Sequence, residues 1–309
     1  MGFESQKIKI RKICKELLET GAADTIIGYI AGGIEGMRIP YIFNDPDDAM
    51  KMEWDQRCVP VLCGYAHGRK DKFGIVAKPC DARGIVNYIV EGQLKRDQAY
   101  IIGVDCVGMI DAQGEPTPGC AECKIKTPPV FDVRVEFCES DVEPNGFQDE
   151  SDPCEAAEVS EARDMDDGVL AIDEAESQNE KLARFYGEIK KCILCFSCRQ
   201  ACYGCYCPVC FMDRDTLEWQ PLSSDNTNVK AAYHLGRAMH LSGRCVGCGA
   251  CERVCASGVN VRYIIKSITD YIENEFDFRT GLDVDTEPVM TAYRNDDRDI
   301  DFMKEKAND

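Results

Sequence analysis

Two cysteine runs with identical spacing constrain this chain more than any other feature of its sequence. The cysteines of the first run are Cys192, Cys195, Cys198 and Cys202, and those of the second are Cys245, Cys248, Cys251 and Cys255. In such a C-x-x-C-x-x-C-x-x-x-C run, three thiolates wrap one face of a cuboidal cluster and the fourth points away to another cluster. The doubled run therefore predicts two [4Fe–4S] clusters, because zinc sites pair two cysteines with a distant pair.

This spacing also predicts which thiols share a cluster. The first cluster takes Cys192, Cys195, Cys198 and Cys255, and the second takes Cys245, Cys248, Cys251 and Cys202. The proline that usually follows the last cysteine is replaced by Tyr203 and Ala256, and 42 residues separate the runs. Helical periodicity over 188–195, 228–241 and 261–271 predicts a mainly α-helical dicluster ferredoxin domain at 181–272.

Three more cysteines follow the first run within six residues: Cys205, Cys207 and Cys210. Two interpretations stay open for them. They bind a further cluster or a zinc ion together with a distant cysteine, or they line the first cluster and tune it through weak contacts.

The chain has three histidines, which excludes a His-rich catalytic metal site.

Charge and cysteine content bound the protein class. The net charge is −19, which argues against nucleic acid and against an anionic membrane as partners. The apolar runs are far shorter than the ~20 residues of a membrane span, and the charged N-terminus is unlike a secretory signal. We therefore expect a cytoplasmic protein, in which twenty cysteines indicate metal or redox chemistry rather than disulfides.

Charge also divides the chain. Residues 139–180 hold sixteen acidic residues and one arginine. We interpret this stretch as an acidic linker, with a charged helix over 152–166 as the alternative. Residues 273–309 are again acidic and predict an extended tail. The predicted domains are thus 1–138, 139–180, 181–272 and 273–309.

The N-terminal domain, 1–138, carries an α/β pattern. An amphipathic helix ends at Thr20-Gly21. Apolar runs at 73–77 and 99–104 flank a helical pattern over 81–94, and strand–helix–strand with such a crossover predicts a parallel βαβ unit.

Ligands of open α/β sheets collect outside the carboxyl ends of the strands. Those ends bring Cys80 and Cys106 to one edge, and Cys120 and Cys123 follow in a loop rich in glycine and proline. Four thiols suffice for a further [4Fe–4S] cluster. The alternatives are that Cys58 or Cys63 replaces one of the four, or that Cys80 and Cys106 are small buried hydrophobes.

The start of the helix after the first of these strands offers a second kind of site. Asp81 begins the predicted helix, and Lys78 and Arg83 flank it. Because a helix N-terminus attracts anions, a flavin or nucleotide phosphate would suit this place. The alternative is an ordinary helix cap with basic residues at the surface.

Two sequence stretches carry a resemblance to a known family. AKPCDARGIVNYIVEGQLKRD and YIIGVDCVGM, with Pro79-Cys80 and Cys106, are similar to the flavin domain of the β subunits of deazaflavin-reducing hydrogenases and formate dehydrogenases. HLGRAMHLSGRCVGCGACERVC and CYCPVCF resemble iron–sulfur subunits of heterodisulfide-reductase-type complexes. The resemblance covers about residues 70–266, with the cluster module after the α/β domain instead of before it. It implies FAD as a cofactor.

Three functions follow as hypotheses. The first is an electron-transfer subunit that relays electrons between a hydrogenase- or formate-dehydrogenase-like partner and a heterodisulfide-reductase-like or flavin-bifurcating core, without its own substrate site. The second is an FAD-containing reductase subunit that passes a hydride to a deazaflavin or nicotinamide acceptor. The third is an iron–sulfur sensor or assembly scaffold without turnover.

Overall fold

The computed structural model describes residues 2–137, 177–213 and 225–291. The predicted acidic linker lies outside the described residues up to residue 176, and the predicted tail lies outside them from residue 292 onward. No helix within the described ranges is long and apolar enough to cross a membrane.

Five strands form one sheet in the order β2–β1–β3–β4–β5. The strands are β1 (Thr25–Ala31), β2 (Arg38–Phe43), β3 (Phe73–Ala77), β4 (Ala99–Val104) and β5 (Val133–Val135). All neighbours pair in parallel except β2, which is antiparallel to β1. The predicted α/β class of the N-terminal part is therefore confirmed.

The βαβ unit lies at the centre of this sheet. β3 pairs in parallel with β4, with Ile75 opposite Ile101, and helix α2 (Pro79–Val90) connects them. All five residues of β3 are buried, as expected of a parallel strand covered on both faces. α1 (Gly2–Thr20) and α2 both contact β3. α2 begins at Pro79, two residues before the predicted start, because proline is preorganised for the first helical position.

The edge strand β2 was not predicted from the sequence. It contains Pro40, which cannot donate to a ladder and is tolerated at a sheet edge. Ile39, Tyr41 and Ile42 are partly exposed and only Phe43 is fully buried, so its sequence lacks the alternation that identifies a strand.

From residue 177 onward, the described residues form helices and no strand. The helices, after the short α3 (Pro118–Ala121) of the first part, are α4 (Gln178–Lys191), α5 (Ser197–Gln200), α6 (Thr227–His240), α7 (Ala250–Arg253) and α8 (Val261–Phe276). α6 packs against α4 and α8, and the buried side chains between them include Ile189, Tyr233 and Ile265. The helix predicted over 188–195 is wrong beyond Lys191, where the backbone turns into a cysteine-bearing loop.

Polar contacts join the sheet to the helical part. The Tyr88 hydroxyl of α2 donates to the backbone oxygen of Tyr203 at 2.6 Å. Arg244 donates to the Glu91 carboxylate, also at 2.6 Å. Since Tyr203 and Arg244 are next to Cys202 and Cys245, these contacts fix the cysteine runs against the sheet.

Candidate metal centres

The first predicted thiol set lines one small cavity. Its cysteines, Cys192, Cys195, Cys198 and Cys255, share that cavity with Phe196, Tyr233 and His234. Cys192 follows the end of α4, and Cys198 lies in α5. The structure thus brings together three thiols of the first run and the last thiol of the second.

The second predicted set is also drawn together. Cys248 interacts electrostatically with Cys202 and Cys245, and Cys251 interacts with all three of these thiols. The fourth cysteine of the first run therefore lies among the first three cysteines of the second run. The two runs exchange their last cysteines, as the spacing predicts.

The loops of the two runs have the same local backbone. Leu194 and Phe196 have positive φ angles of 55° and 60°, and the equivalent positions, Gly247 and Gly249, both have φ of 70°. The Leu194 amide donates to Cys192 Sγ at 3.3 Å, and the Gly247 amide donates to Cys245 Sγ at 3.4 Å. A positive φ is uncommon for leucine and phenylalanine, and residues in this conformation cluster at functional sites. In both loops that conformation points backbone N–H groups at sulfur.

Burial makes several of these thiols harder to deprotonate. It raises the pKa of Cys248 to about 12 and also raises those of Cys192 and Cys245. Two thiols differ: hydrogen bonds with Ser197 lower the pKa of Cys195, and a hydrogen bond from Cys205 lowers the pKa of Cys202, with the positive charge of Arg237 acting in the same direction. Because metals bind thiolates, loading these sites releases protons.

The third thiol set lies at the carboxyl ends of β3 and β4. Cys80, Cys106, Cys120 and Cys123 line one cavity together with Lys78 and with Cys248 of the second set. Burial raises the pKa of Cys106 to about 11, and its neighbouring thiols are Cys120 and Cys123. The expectation that parallel strands deliver Cys80 and Cys106 to one edge agrees with this placement.

Across all these sets, no three His, Cys, Asp or Glu side chains converge tightly enough to hold a single metal ion, among the residues the structure describes. The thiols of the first and third sets instead line small cavities. This arrangement suits a group in which each thiolate binds a different iron atom.

The two alternative cysteines of the N-terminal part differ in their surroundings. Cys63 is fully buried and has Cys80 and Cys248 as electrostatic neighbours. Cys58 is also buried, but its Sγ contacts the backbone oxygen of Glu53 at 3.7 Å. Of the two, Cys63 lies closer to the third set.

The three cysteines after the first run have unlike surroundings. Cys205 lies beside Cys202, Cys207 is exposed, and Cys210 interacts with Arg199. Cys205 also lines a large open cavity of about 940 Å³. Aromatic side chains contribute to its wall: His67, Tyr88, Tyr203 and Tyr206.

At the predicted anion site, Lys78 and Asp81 pair with each other. Lys78 Nζ lies 2.9 Å from the Asp81 carboxylate, and both side chains are buried. The other carboxylate oxygen of Asp81 accepts from the amides of Leu62 and Cys63. Burial opposes the charge of Lys78, but the nearby Asp81 raises the pKa of this lysine well above its ordinary value.

Arg83 is separate from this pair. It donates to the backbone oxygen of Thr280 at 2.9 Å and borders a cleft that Arg262 and Lys266 also line. A role of Lys78, Asp81 and Arg83 in flavin binding stays a prediction.

Sequence reasoning missed the contribution of α6 to the thiol sets. Tyr233 and Arg237 lie four residues apart and therefore on one helix face. The Tyr233 hydroxyl is 3.3 Å from Cys198 Sγ, and Arg237 donates to the Cys198 backbone oxygen. The i, i+4 spacing was visible in the sequence, but nothing there showed that this face meets the cysteines.

No model of a known protein family matches the chain. Two curated proteins are similar to it over most of both lengths. The chain is 21% identical to the F420-dependent formate dehydrogenase subunit beta of Methanocaldococcus jannaschii, covering 92% of this chain and 94% of that protein. It is 22% identical to the F420-dependent formate dehydrogenase 1 subunit beta of Methanococcus maripaludis, covering 91% and 92%.

One solved structure is also similar over part of its length. It is a chain of the F420-reducing [NiFe] hydrogenase complex from Methanosarcina barkeri, with 15% identity and a TM-score of 0.29. The similarity covers 34% of this chain and 39% of that chain. A score this low carries no argument about the fold.

Proposed function

Since the chain is similar along nearly its whole length to β subunits of F420-dependent formate dehydrogenases, we propose that it is an iron–sulfur electron-transfer subunit of a multi-subunit anaerobic oxidoreductase. The resemblance to the β-subunit family, first indicated by the motifs around Cys80 and Cys106, is confirmed by these relatives. The chain would relay electrons between a hydrogenase- or formate-dehydrogenase-like partner and a heterodisulfide-reductase-like or flavin-bifurcating core.

One observation carries the proposal: the two cysteine runs share a loop conformation and exchange their last cysteines. We assign one [4Fe–4S] cluster to Cys192, Cys195, Cys198 and Cys255, and a second to Cys245, Cys248, Cys251 and Cys202. A cluster of this kind supplies one-electron transfer at low potential when it is bound. The helices around these loops would then form a dicluster ferredoxin module of the heterodisulfide-reductase type.

The chain's own residues would prepare these sites in two ways. Backbone amides at Leu194 and Gly247 donate to ligand sulfurs, which is one of the contacts that sets reduction potential. The aromatic rings of Phe196 and Tyr233 border the first cavity and limit its exposure to water.

We assign a third [4Fe–4S] cluster to Cys80, Cys106, Cys120 and Cys123. Their cavity also contacts Cys248 of the second set, so the two sets are adjacent. Adjacency is what a chain of one-electron carriers needs. A further cluster at Cys205, Cys207 and Cys210 stays a prediction, and their unlike surroundings favour the interpretation in which they line an existing site.

The alternative function is an FAD-containing reductase subunit that passes a hydride to a deazaflavin or nicotinamide acceptor. The cavity of about 940 Å³ favours it, because aromatic walls and this size suit a planar cofactor. Cys202 and Cys205 lie in the same wall. In this alternative the second cluster would exchange single electrons with a flavin.

The test is to tag the chain at its own locus, purify it without oxygen, and identify what co-purifies. The proposal predicts catalytic subunits of a hydrogenase or formate dehydrogenase, and reduction of the chain's iron–sulfur absorbance by that partner's substrate. A chain that is isolated alone and is not reduced would contradict it. Stoichiometric flavin in the same sample, with hydride transfer to a deazaflavin or nicotinamide, would favour the alternative.

A further inference from the structure

A buried arginine lies where the two cysteine runs meet. Arg237 of α6 is 3% exposed, and its Nη2 donates to the Cys198 backbone oxygen at 3.0 Å. Its Nε and Nη1 atoms are buried and have no oxygen or nitrogen partner, and the guanidinium instead makes side-chain hydrogen bonds with the thiols of Cys202 and Cys205. Within the described ranges no carboxylate forms an ion pair with it. Because a buried charge needs a compensating charge, this guanidinium requires negative charge from another source.

The neighbours of Arg237 are thiols from both runs. Its strongest electrostatic interactions are with Cys202, Cys205, Cys251 and Cys198, in that order. It also acts on Cys245. Three of the four proposed ligands of the second cluster, Cys202, Cys245 and Cys251, are therefore among its neighbours, and so is Cys198 of the first set.

Other basic side chains near the second set donate to backbone oxygens, are partly exposed to water, or are uncharged. Arg253 is partly exposed and donates to the Cys248 backbone oxygen at 2.7 Å. Arg83 Nε donates a hydrogen bond to the Thr280 backbone oxygen. His234, one turn before Arg237, is kept neutral because burial lowers its pKa to about 4, with Arg237 adding to the effect.

A fixed positive charge acts on a cluster through the charge difference between its two redox states. Reduction adds one electron, and so adds one negative charge to a group that thiolate ligation already makes negative. A nearby buried cation stabilises the reduced state more than the oxidised state, because the interaction is strong where water is excluded. Net charge is one of the factors that set a cluster's potential.

We propose that Arg237 is the fixed counter-charge of the second cluster and raises its reduction potential. The inference rests on the proposed function, since it needs both clusters to be present. Arg237 is not among the proposed ligands and would act on the cluster through its charge. The consequence is that the charge of Arg237 favours the presence of the electron on the second cluster.

The experiment compares three variants with the wild type by anaerobic redox titration with a low-potential reductant, read by electron paramagnetic resonance. Arg237→Gln removes the charge, and Arg237→Lys retains it with different geometry. Lys230→Gln removes another buried cation of the same helix, which donates to the Lys190 backbone oxygen.

We expect Arg237→Gln to lower the reduction equilibrium constant of one cluster about tenfold or more, which is 59 mV for one electron. Arg237→Lys should recover at least half of that shift, and Lys230→Gln should leave both potentials unchanged. The signal that shifts most should be the one that Cys251→Ser abolishes.

Equal potentials in Arg237→Gln and the wild type would overturn the inference, as would a lysine variant that shifts as far as the glutamine variant. If Arg237→Gln does not retain its iron, its potentials cannot be measured, and the iron content of Arg237→Lys becomes the test. Retention of iron by Arg237→Lys then supports a charge requirement, and its loss overturns the inference. A wild-type protein without clusters would refute the proposed function instead, so the two failures are distinguishable.

Discussion

Gly119 of α3 lies directly against the backbone of Cys248: a Cβ atom on Gly119 would come within 2.9 Å of the Cys248 carbonyl carbon. Gly119 precedes Cys120 of the third thiol set, and Cys248 belongs to the second. This backbone contact therefore holds two proposed cluster sites next to each other. It is possible only because residue 119 has no side chain.

The first prediction concerns this contact. Gly119→Ala should lower the free energy of unfolding by about 1–3 kcal/mol, because the neighbouring backbone cannot yield as a flexible side chain would. Urea denaturation measures it. Gly33→Ala is the matched control, since a Cβ there meets no atom within 4 Å. Equal destabilisation by both substitutions would refute the packing argument.

The second prediction concerns the first thiol set. Cys195→Ser should remove about four irons per chain, because serine is a poor ligand for a [4Fe–4S] cluster. Cys195 is exposed, so the substitution disturbs little packing. Cys14→Ala, in the buried face of α1, serves as the control and should keep all iron. Colorimetric iron analysis of both variants checks this, and an unchanged iron content in Cys195→Ser would contradict the assignment.

The third prediction separates the third thiol set from the other two. Cys106→Ser should lose about four irons and keep the remainder, since its cavity is distinct from that of Cys192 and Cys195. Cys58→Ser should lose none, because Cys58 contacts the Glu53 backbone instead. Iron loss in Cys58→Ser but not in Cys106→Ser would move the ligand assignment to the alternative cysteine.

The fourth prediction concerns the buried ion pair of Lys78 and Asp81. Asp81→Asn leaves the Lys78 ammonium without its compensating charge and should cost about 3–5 kcal/mol of stability. The double variant Lys78→Met with Asp81→Asn should cost less than Asp81→Asn alone. Urea denaturation of the three proteins measures the coupling. If the single and double variants are equally destabilised, the charges of Lys78 and Asp81 are not coupled.

The fifth prediction concerns removal of iron. Because metal binding contributes to folding stability, stripping iron should loosen the helical part selectively. Amide hydrogen exchange in α6 and α8 should accelerate about tenfold or more, whereas β1, which carries no proposed ligand at either end, should change little. Uniform acceleration across both parts would show that the sheet also depends on the metal.

Much of the fold was predictable because apolar periodicity and the residues that end a helix are local features of the sequence. The strands at 73–77 and 99–104 match the apolar runs residue for residue, and Thr20-Gly21 ends α1 as predicted. β2 was not predictable, because Pro40 and its exposed side chains give no strand pattern. The end of α4 at Lys191 was also missed, since the demands of the cysteine loop override helix propensity there.

The candidate sites, too, were predictable only where they depend on local spacing or strand order. Regular spacing predicted which thiols of the two runs would meet, and strand topology predicted the approach of Cys80 and Cys106. The role of Arg237 was invisible, because the sequence does not show that an unpaired guanidinium faces the thiols. The internal pairing of Lys78 with Asp81 was equally hidden, since a lysine before a helix cap usually lies at the surface.

The most direct test of the central claim is the content of iron, acid-labile sulfide and flavin in one sample of anaerobically purified protein. The account predicts about twelve irons and twelve sulfides per chain, from three [4Fe–4S] clusters. About eight would restrict the clusters to the two cysteine runs and leave the third thiol set structural. A chain with neither iron nor sulfide would contradict the account.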